Sequence, residues 1–301
     1  MKATTAAGVA VLGVAVVLIT LAALRPTDLP PLTMGFQICN SPAENHRRFD
    51  PLTAYLAREL GREIRAVHLD TADFLDPEHQ RYDLYHVNSL VYVNLREAGA
   101  AAVVAGELQG AGGPNTQGWI IARKDSGIRS LEDLRGKRLI FGPMLSPGGY
   151  LTQYYALRQA GLDPEQDLAL YSFPWGAWKH EKVVYAVHYG AADAGAARYD
   201  DLELMARDYK VDPEEFAVIH KSPWVPWCTL AVSPSLAPEV AETFRKALLG
   251  VRPGDTVELG AERFDVLRWA EVTGFAPAAE ADYDLVRDMA RAVGMPPYQP
   301  W

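Results

Sequence analysis

The chain is expected to fold as an α/β protein of two lobes, and three observations carry that expectation. From residue 32 to residue 106, strand-like apolar runs alternate with amphipathic stretches, the pattern of a sheet covered by helices. A second alternating block runs from Trp119 to about Ser222, so the chain visits another lobe and returns, with crossings near Gly118 and Val225. Within that block a buried strand, a turn of small residues and a helix follow one another between Arg138 and Ala160. Such a unit aims free backbone N–H groups and the positive end of a helix at an anion.

The elements follow in order. Residues 32–39 (LTMGFQIC) read as a strand and residues 40–45 as a loop. A helix opens at Phe49-Asp50-Pro51, with Leu52, Tyr55, Leu56 and Leu60 on one face and Gly61 as its stop. Strands over 64–69 and 82–87 come next, then a helix from Asn88 to about Gly99 and a strand over 101–106. A glycine-rich loop leads to a strand at Trp119. A short helix over 131–135 ends at Gly136, and a strand covers 138–141. The turn Ser146-Pro147-Gly148-Gly149 opens a helix over about 150–160 that stops at Gly161. A strand over 168–173, a helix from about Lys182 and a strand over 192–197 complete the block. The chain crosses back in a strand starting near Trp224, a helix covers 238–249, and the tail is expected to pack on one of the lobes. The lobes are thus residues 32–117 with 226–301, and 118–225.

The 301 residues suffice for two ordinary domains, and 49% hydrophobic with 22% charged residues is a globular balance. A formal charge of −9 with no basic cluster excludes a nucleic-acid partner. Local anion binding is still open to an acidic chain, because net charge governs solubility and steering rather than a site. Residues 6–24 hold no charge and follow Lys2, so residues 1–25 are expected to be a membrane anchor or a signal sequence, with 26–31 a linker. Large leucines around Ala22 and Ala23 favour an uncleaved anchor; in either case the body is exported.

In a parallel α/β sheet, ligands sit beyond the carboxyl ends of strands. The residues there are polar, aromatic and cationic. Ser146, Gly148, Gly149 and Tyr150 offer a hydroxyl and amides to an oxyanion, or simply cap a helix. His180 either donates to the ligand or pairs with Glu181. His86 and Asn88 are either ligand contacts or a satisfied helix start. Arg198 either forks onto two oxygens or pairs with Asp200 or Asp201. Trp175, Trp178 and Trp227 read mainly as packing. Cys39 and Cys228, the only cysteines, form a disulfide across the cleft floor, stay as buried thiols, or serve as soft ligands for a thiophilic oxyanion such as arsenite. No nucleophile elbow, zinc-protease helix, phosphate-binding Walker loop or dinucleotide pattern is present, and the seven histidines show no metal-ligand spacing. An enzyme, a resident metal and a cofactor are therefore not expected.

Several stretches together resemble the phosphate/phosphite/phosphonate-binding family of ABC-transporter periplasmic solute-binding proteins. They are residues 51–61 (PLTAYLARELG), Tyr82-Asp83-Leu84, residues 123–128 with 130–137, Phe141-Gly142-Pro143 with the following turn, His180-Glu181, and residues 190–195. The resemblance covers roughly residues 34–249. It implies the type II periplasmic-binding-protein fold, each lobe a mostly parallel sheet flanked by helices, here preceded by one N-terminal hydrophobic helix. It also implies capture of a small oxyanion in an interlobe cleft for an ABC transporter permease. A membrane-tethered binding subunit that presents the anion to a sensor histidine kinase is the alternative. The chain differs from the family pattern at the turn, where only Ser146 keeps a hydroxyl. It differs again at Pro226-Trp227-Cys228, where a thiol stands in place of a carboxylate.

Overall fold

A computed structural model describes residues 29–76 and 81–299. The expected N-terminal hydrophobic helix and anchor lie outside the described residues; among those described, no helix is long and apolar enough to cross a membrane. In chain order the first part holds β1 (Leu32–Gln37), α1 (Pro42–Leu60), β2 (Ile64–Leu69), β3 (Leu84–Asn88), α2 (Ser89–Glu97) and β4 (Ala102–Leu108). The middle holds β5 (Asn115–Arg123), β6 (Arg138–Ile140), α3 (Thr152–Gln159), α4 (Pro164–Asp167), β7 (Leu170–Ser172), α5 (Lys179–His188), β8 (Ala194–Arg198), α6 (Asp201–Arg207) and β9 (Phe216–Pro226). The last part holds β10 (Cys228–Val232), α7 (Pro238–Gly250), β11 (Thr256–Leu259), β12 (Glu262–Asp265), α8 (Val266–Ala270), β13 (Gly274–Pro277) and α9 (Asp284–Ala292).

The strands form two main sheets and a hairpin. The six-stranded sheet has the order β13-β4-β10-β3-β1-β2, the five-stranded sheet the order β7-β6-β8-β5-β9, and β11 pairs with β12. Neither main sheet is mostly parallel, which corrects the expectation from sequence. β1 runs parallel to β2 and β3, and β6 parallel to β7 and β8. β10 lies antiparallel between β3 and β4, β13 is antiparallel to β4, and β5 is antiparallel to both β8 and β9. The reason is the crossing itself: the strands that carry the chain out and back must enter their sheets from the far side.

The helix expected to open at Phe49 begins at Pro42, where Ser41 caps it by accepting from the Glu44 N–H at 3.2 Å. Proline suits a first helical turn, which is why Pro51 reads as a start; here Pro51 sits inside α1 and costs one backbone hydrogen bond. Burial of Phe49, Leu52, Tyr55 and Leu56 against α7, α8 and β11 compensates. Residues expected as a short helix over 131–135 form a single 3₁₀ turn, Glu132–Leu134. The tail does not rest on one lobe: α9 packs on α2 behind the first sheet and on α3 and β9 of the second.

Candidate functional site

The carboxyl ends of β1 and β3 face the turn after β6 and the start of α5 across a gap between the two sheets. β5 and β9 reach over to the first sheet, where Asn115 pairs with Pro226 and Trp227 N–H donates to the Pro114 carbonyl. The innermost part of the gap is a crevice with about 40 Å³ of free volume, enough for about three waters. Gln37, Cys39, Asn88 and Cys228 line it from the first sheet, Ser146, Lys179 and His180 from the second. Among the described residues that line it there is no aspartate or glutamate.

The turn after β6 is wider than its sequence suggests. Residues Pro147–Leu151 form a wide π-type turn before α3, with Tyr150 and Leu151 both donating to the Ser146 carbonyl at 3.0 Å. Ser146 Oγ accepts from the Gly149 N–H at 3.1 Å, so it caps the turn while its own proton stays free to point into the crevice. The glycines answer packing needs. A Cβ on Gly142 would lie 2.7 Å from Gly149 Cα and carbonyl oxygen, and one on Gly148 would lie 2.8 Å from Thr116 Oγ1. Gly148, Gly149 and Tyr150 are buried and do not line the crevice. The Tyr150 ring joins Phe141, Tyr154 and Phe173, and burial there raises its phenol.

Asn88 works in three directions. Its Oδ1 caps α2 by accepting from Leu90 and Val91, its own N–H donates to Gln37 Oε1, and its Nδ2 donates across the gap to the Leu145 carbonyl at 3.0 Å. Gln37 is anchored in turn on Thr71 Oγ1. His86 sits beneath the floor rather than in it. It is 1% exposed, packs against Phe36 and Phe49, and pairs through Nε2 with Glu107 Oε1 at 2.7 Å. Burial alone would raise the Glu107 carboxyl, but His86 and Arg48 hold it below its usual value.

Both cysteines are free thiols and both line the crevice. Burial pushes the Cys228 thiol well up, and Glu107 adds to this; burial also raises Cys39, with Arg48 pulling the other way. The floor therefore presents uncharged sulfur.

His180 and Arg198 meet at a second, wider cavity of about 330 Å³ that opens beside the crevice. His180 belongs to both spaces, and its Nδ1 stands 3.4 Å from Asp201 Oδ2; Glu181 pairs instead with Lys210. Arg198 donates through its backbone N–H to Asp201 Oδ2 at 2.7 Å and through Nε to Oδ1 at 2.9 Å. The guanidinium lies over the Trp227 ring at 4.7 Å. Burial would lower the Arg198 guanidinium, but Asp201 and Asp200 outweigh it and raise it. Burial would likewise raise Asp201, but Arg198 and His180 hold it well below the usual carboxylate range. Trp175 and Trp178 are exposed at the outer edge.

The structure thus brings Ser146, Asn88, His180, Cys39 and Cys228 together, sets Arg198 beside them, and leaves His86, Gly148, Gly149 and Tyr150 behind the surface. Sequence reasoning placed Lys179 at a strand end beside His180 but missed Gln37 and Glu107 as parts of this region. A polar residue inside an otherwise apolar strand was the available signal for Gln37 and Glu107.

A family model described as the periplasmic substrate-binding protein of phosphonate ABC transporters matches residues 34–283. The chain belongs to that family, whose members are periplasmic and hence extracytoplasmic binding proteins. A binding-protein component of an ABC phosphonate transporter from Pseudomonas aeruginosa matches in fold with a TM-score of 0.68. It is 20% identical, over 88% of this chain and 87% of that one. PhnD1 from Prochlorococcus marinus, solved in complex with methylphosphonate, gives a TM-score of 0.68 at 17% identity over 87% of this chain and 98% of that one. An alignment of 154 positions, covering 47% of this chain, is 29% identical to the tetrathionate sensor histidine kinase TtrS of Salmonella typhimurium. The chain covers 25% of that kinase's length.

Proposed function

We propose that this extracytoplasmic binding protein holds a small oxyanion, of the phosphate, phosphite or phosphonate kind, in the crevice between its two sheets and hands it to an ABC transporter permease. The observation that carries the reading is the lining of the crevice. Lys179, His180, the Ser146 hydroxyl and the Asn88 amide line it with no carboxylate among the described lining residues, while Asp201 stands 3.4 Å from His180 Nδ1, so an anion gains charge-assisted hydrogen bonds with little like-charge repulsion. The Arg198 guanidinium, fixed by Asp201, supplies a further cation at the edge. The small free volume favours a compact ligand. The moving bodies are residues 32–117 with 226–301, and residues 118–225, and α9 of the first slides on α3 and β9 of the second. They close by bending where β5 and β9 cross, which expels water and strengthens the polar contacts.

A second reading has the same crevice serve a sensor, with occupancy presented to a histidine kinase. The partial likeness to TtrS favours it, as does the uncharged run over residues 6–24, which would tether the protein to the cytoplasmic membrane. On that reading the ligand includes thiophilic or sulfur oxyanions, arsenite or tetrathionate, which suit the un-ionised thiols of Cys39 and Cys228.

The test is a thermal-shift panel with phosphate, phosphite, methylphosphonate, sulfate, arsenite and tetrathionate. At least one is expected to raise the melting temperature, and Ser146→Ala with His180→Ala is expected to weaken that response at least tenfold. A panel with no response overturns the oxyanion reading. An unchanged affinity in the double variant overturns the site. A response to phosphonates alone supports transport, and one to tetrathionate or arsenite alone supports sensing.

A further inference from the structure

Away from the cleft, at the outer edge of the first sheet, two histidines and an aspartate meet on different elements. His46 and Asp50 stand one turn apart on α1, and His68 projects from β2, the edge strand. One ligand atom from each of the three lies within 4.8 Å of the other two. The His46 and His68 rings are 3.9 Å apart, and His46 Nδ1 is 3.2 Å from Asp50 Oδ1. We propose that His46, Asp50 and His68 form a binding site for a borderline divalent transition metal of the zinc, nickel and copper class.

The arrangement around His68 is what separates this group from a chance surface cluster. One face of its ring stacks on buried Phe36 at 5.2 Å, which fixes its plane. Its Nδ1 is 2.8 Å from the side-chain amide of Asn45, a residue 2% exposed at the base of α1. Its Nε2 is buried and, among the described residues, has no hydrogen-bond partner. With the Asn45 amide turned so that its oxygen accepts from Nδ1–H, Nε2 is left unprotonated, its lone pair available to a ligand. Ligating histidines are commonly held by such a carbonyl on the second ring nitrogen.

Two imidazoles and one carboxylate are the donor set of zinc, nickel and copper, and they do not suit calcium or magnesium, which take oxygen. His46 and Asp50 have side chains about half exposed, at 53% and 48%, so they can swing to complete the coordination while water fills the open positions. A bound ion would clamp α1 to the edge of the sheet. His68 lies 22 positions after His46 in sequence, so no spacing motif announces the site.

The experiment uses the full chain purified without a histidine tag. Zinc is titrated by calorimetry and cobalt by visible absorption, with circular dichroism to check folding. One equivalent is expected to bind, and His46→Ala is expected to weaken zinc at least tenfold. His46→Ala combined with Asp50→Asn is expected to abolish saturable binding, while Cys39→Ser with Cys228→Ser leaves it unchanged. His46 is largely exposed, so its variant should fold even if a change at His68 does not. No saturable binding, an unchanged affinity in His46→Ala, or a thiolate-to-cobalt charge-transfer band would each overturn the proposal.

Discussion

The side-chain amide of Asn88 donates a 3.0 Å hydrogen bond to the backbone carbonyl of Leu145, joining the two sheets across the crevice. Leu145 holds a left-handed backbone, φ +62°, which a leucine adopts at a cost of roughly 1–2 kcal/mol. The left-handed residue and the cap of α2 thus meet at one side chain.

Asn88→Ser keeps an oxygen to cap α2 but removes the donor that crosses the gap. Ligand affinity is expected to fall about fivefold, the worth of about 1 kcal/mol for one hydrogen bond. The unliganded protein should show a larger radius of gyration by X-ray scattering. An unchanged radius and affinity would show that this bond does not hold the lobes.

Asp201 sets a pH limit on the second lobe. An aspartate titrates near pH 3.9 in an unfolded chain, and Asp201 is held lower in the fold, mainly by Arg198 working against burial. Its stabilisation is therefore complete above about pH 5 and lost as the pH falls below the unfolded value. Asp200 moves the other way, because burial dominates there. Asp201→Asn leaves Arg198 with Asp200 as its only carboxylate partner among the described residues and should cost about 2–3 kcal/mol at neutral pH. Urea unfolding of the variant should show a shallower loss of stability between pH 5 and 3 than the parent; equal slopes would contradict the assignment.

The two glycines that pack face to face should respond unequally to alanine. On Gly142 a Cβ meets backbone atoms at 2.7 Å, so the chain itself must move; on Gly149 it meets Ser146 Oγ at 3.1 Å and Gly142 Cα at 3.2 Å. Gly142→Ala is expected to destabilise by about 2–3 kcal/mol and Gly149→Ala by about 1 kcal/mol. Denaturant midpoints measure both, and the reverse order would mean that the turn gives way more easily than the strand end.

Un-ionised thiols in a narrow crevice, one buried and one partly buried, react slowly. Cys39 and Cys228 should react with dithiobisnitrobenzoate at pH 7.5 at least tenfold more slowly in the native protein than in urea, and more slowly again with ligand bound. Rapid labelling of the native protein would show that the floor opens freely to water.

How far the fold could be read from sequence varied with the kind of information needed. β1, β3 and β8 were legible as apolar runs closed by turn residues, since period and punctuation are local properties. The direction of β10 was not, because nothing in Cys228–Val232 records which neighbours it pairs with. Pro51 hid the first two turns of α1, being read as a start where it is an interior residue. At the site, Ser146 and His180 stood out because they follow strands. Tyr150 stood out for the same reason, yet its ring turns into an aromatic group. Glu107 gained its meaning only from His86, 21 residues away in sequence.

β10 also governs the order in which the molecule can be assembled. It is a central strand, every residue of it buried, lying between β3 and β4. Yet it is made about 120 residues after β4 ends at Leu108. Until it arrives, β3 and β4 have no strand to join them, and the first sheet remains split along its middle with apolar edges bare. The second sheet, whose strands β5 to β9 are contiguous in sequence, can form first. The nascent chain is therefore expected to depend on chaperone protection until β10 closes the seam, and substitutions in β10 should lower yield before they lower affinity.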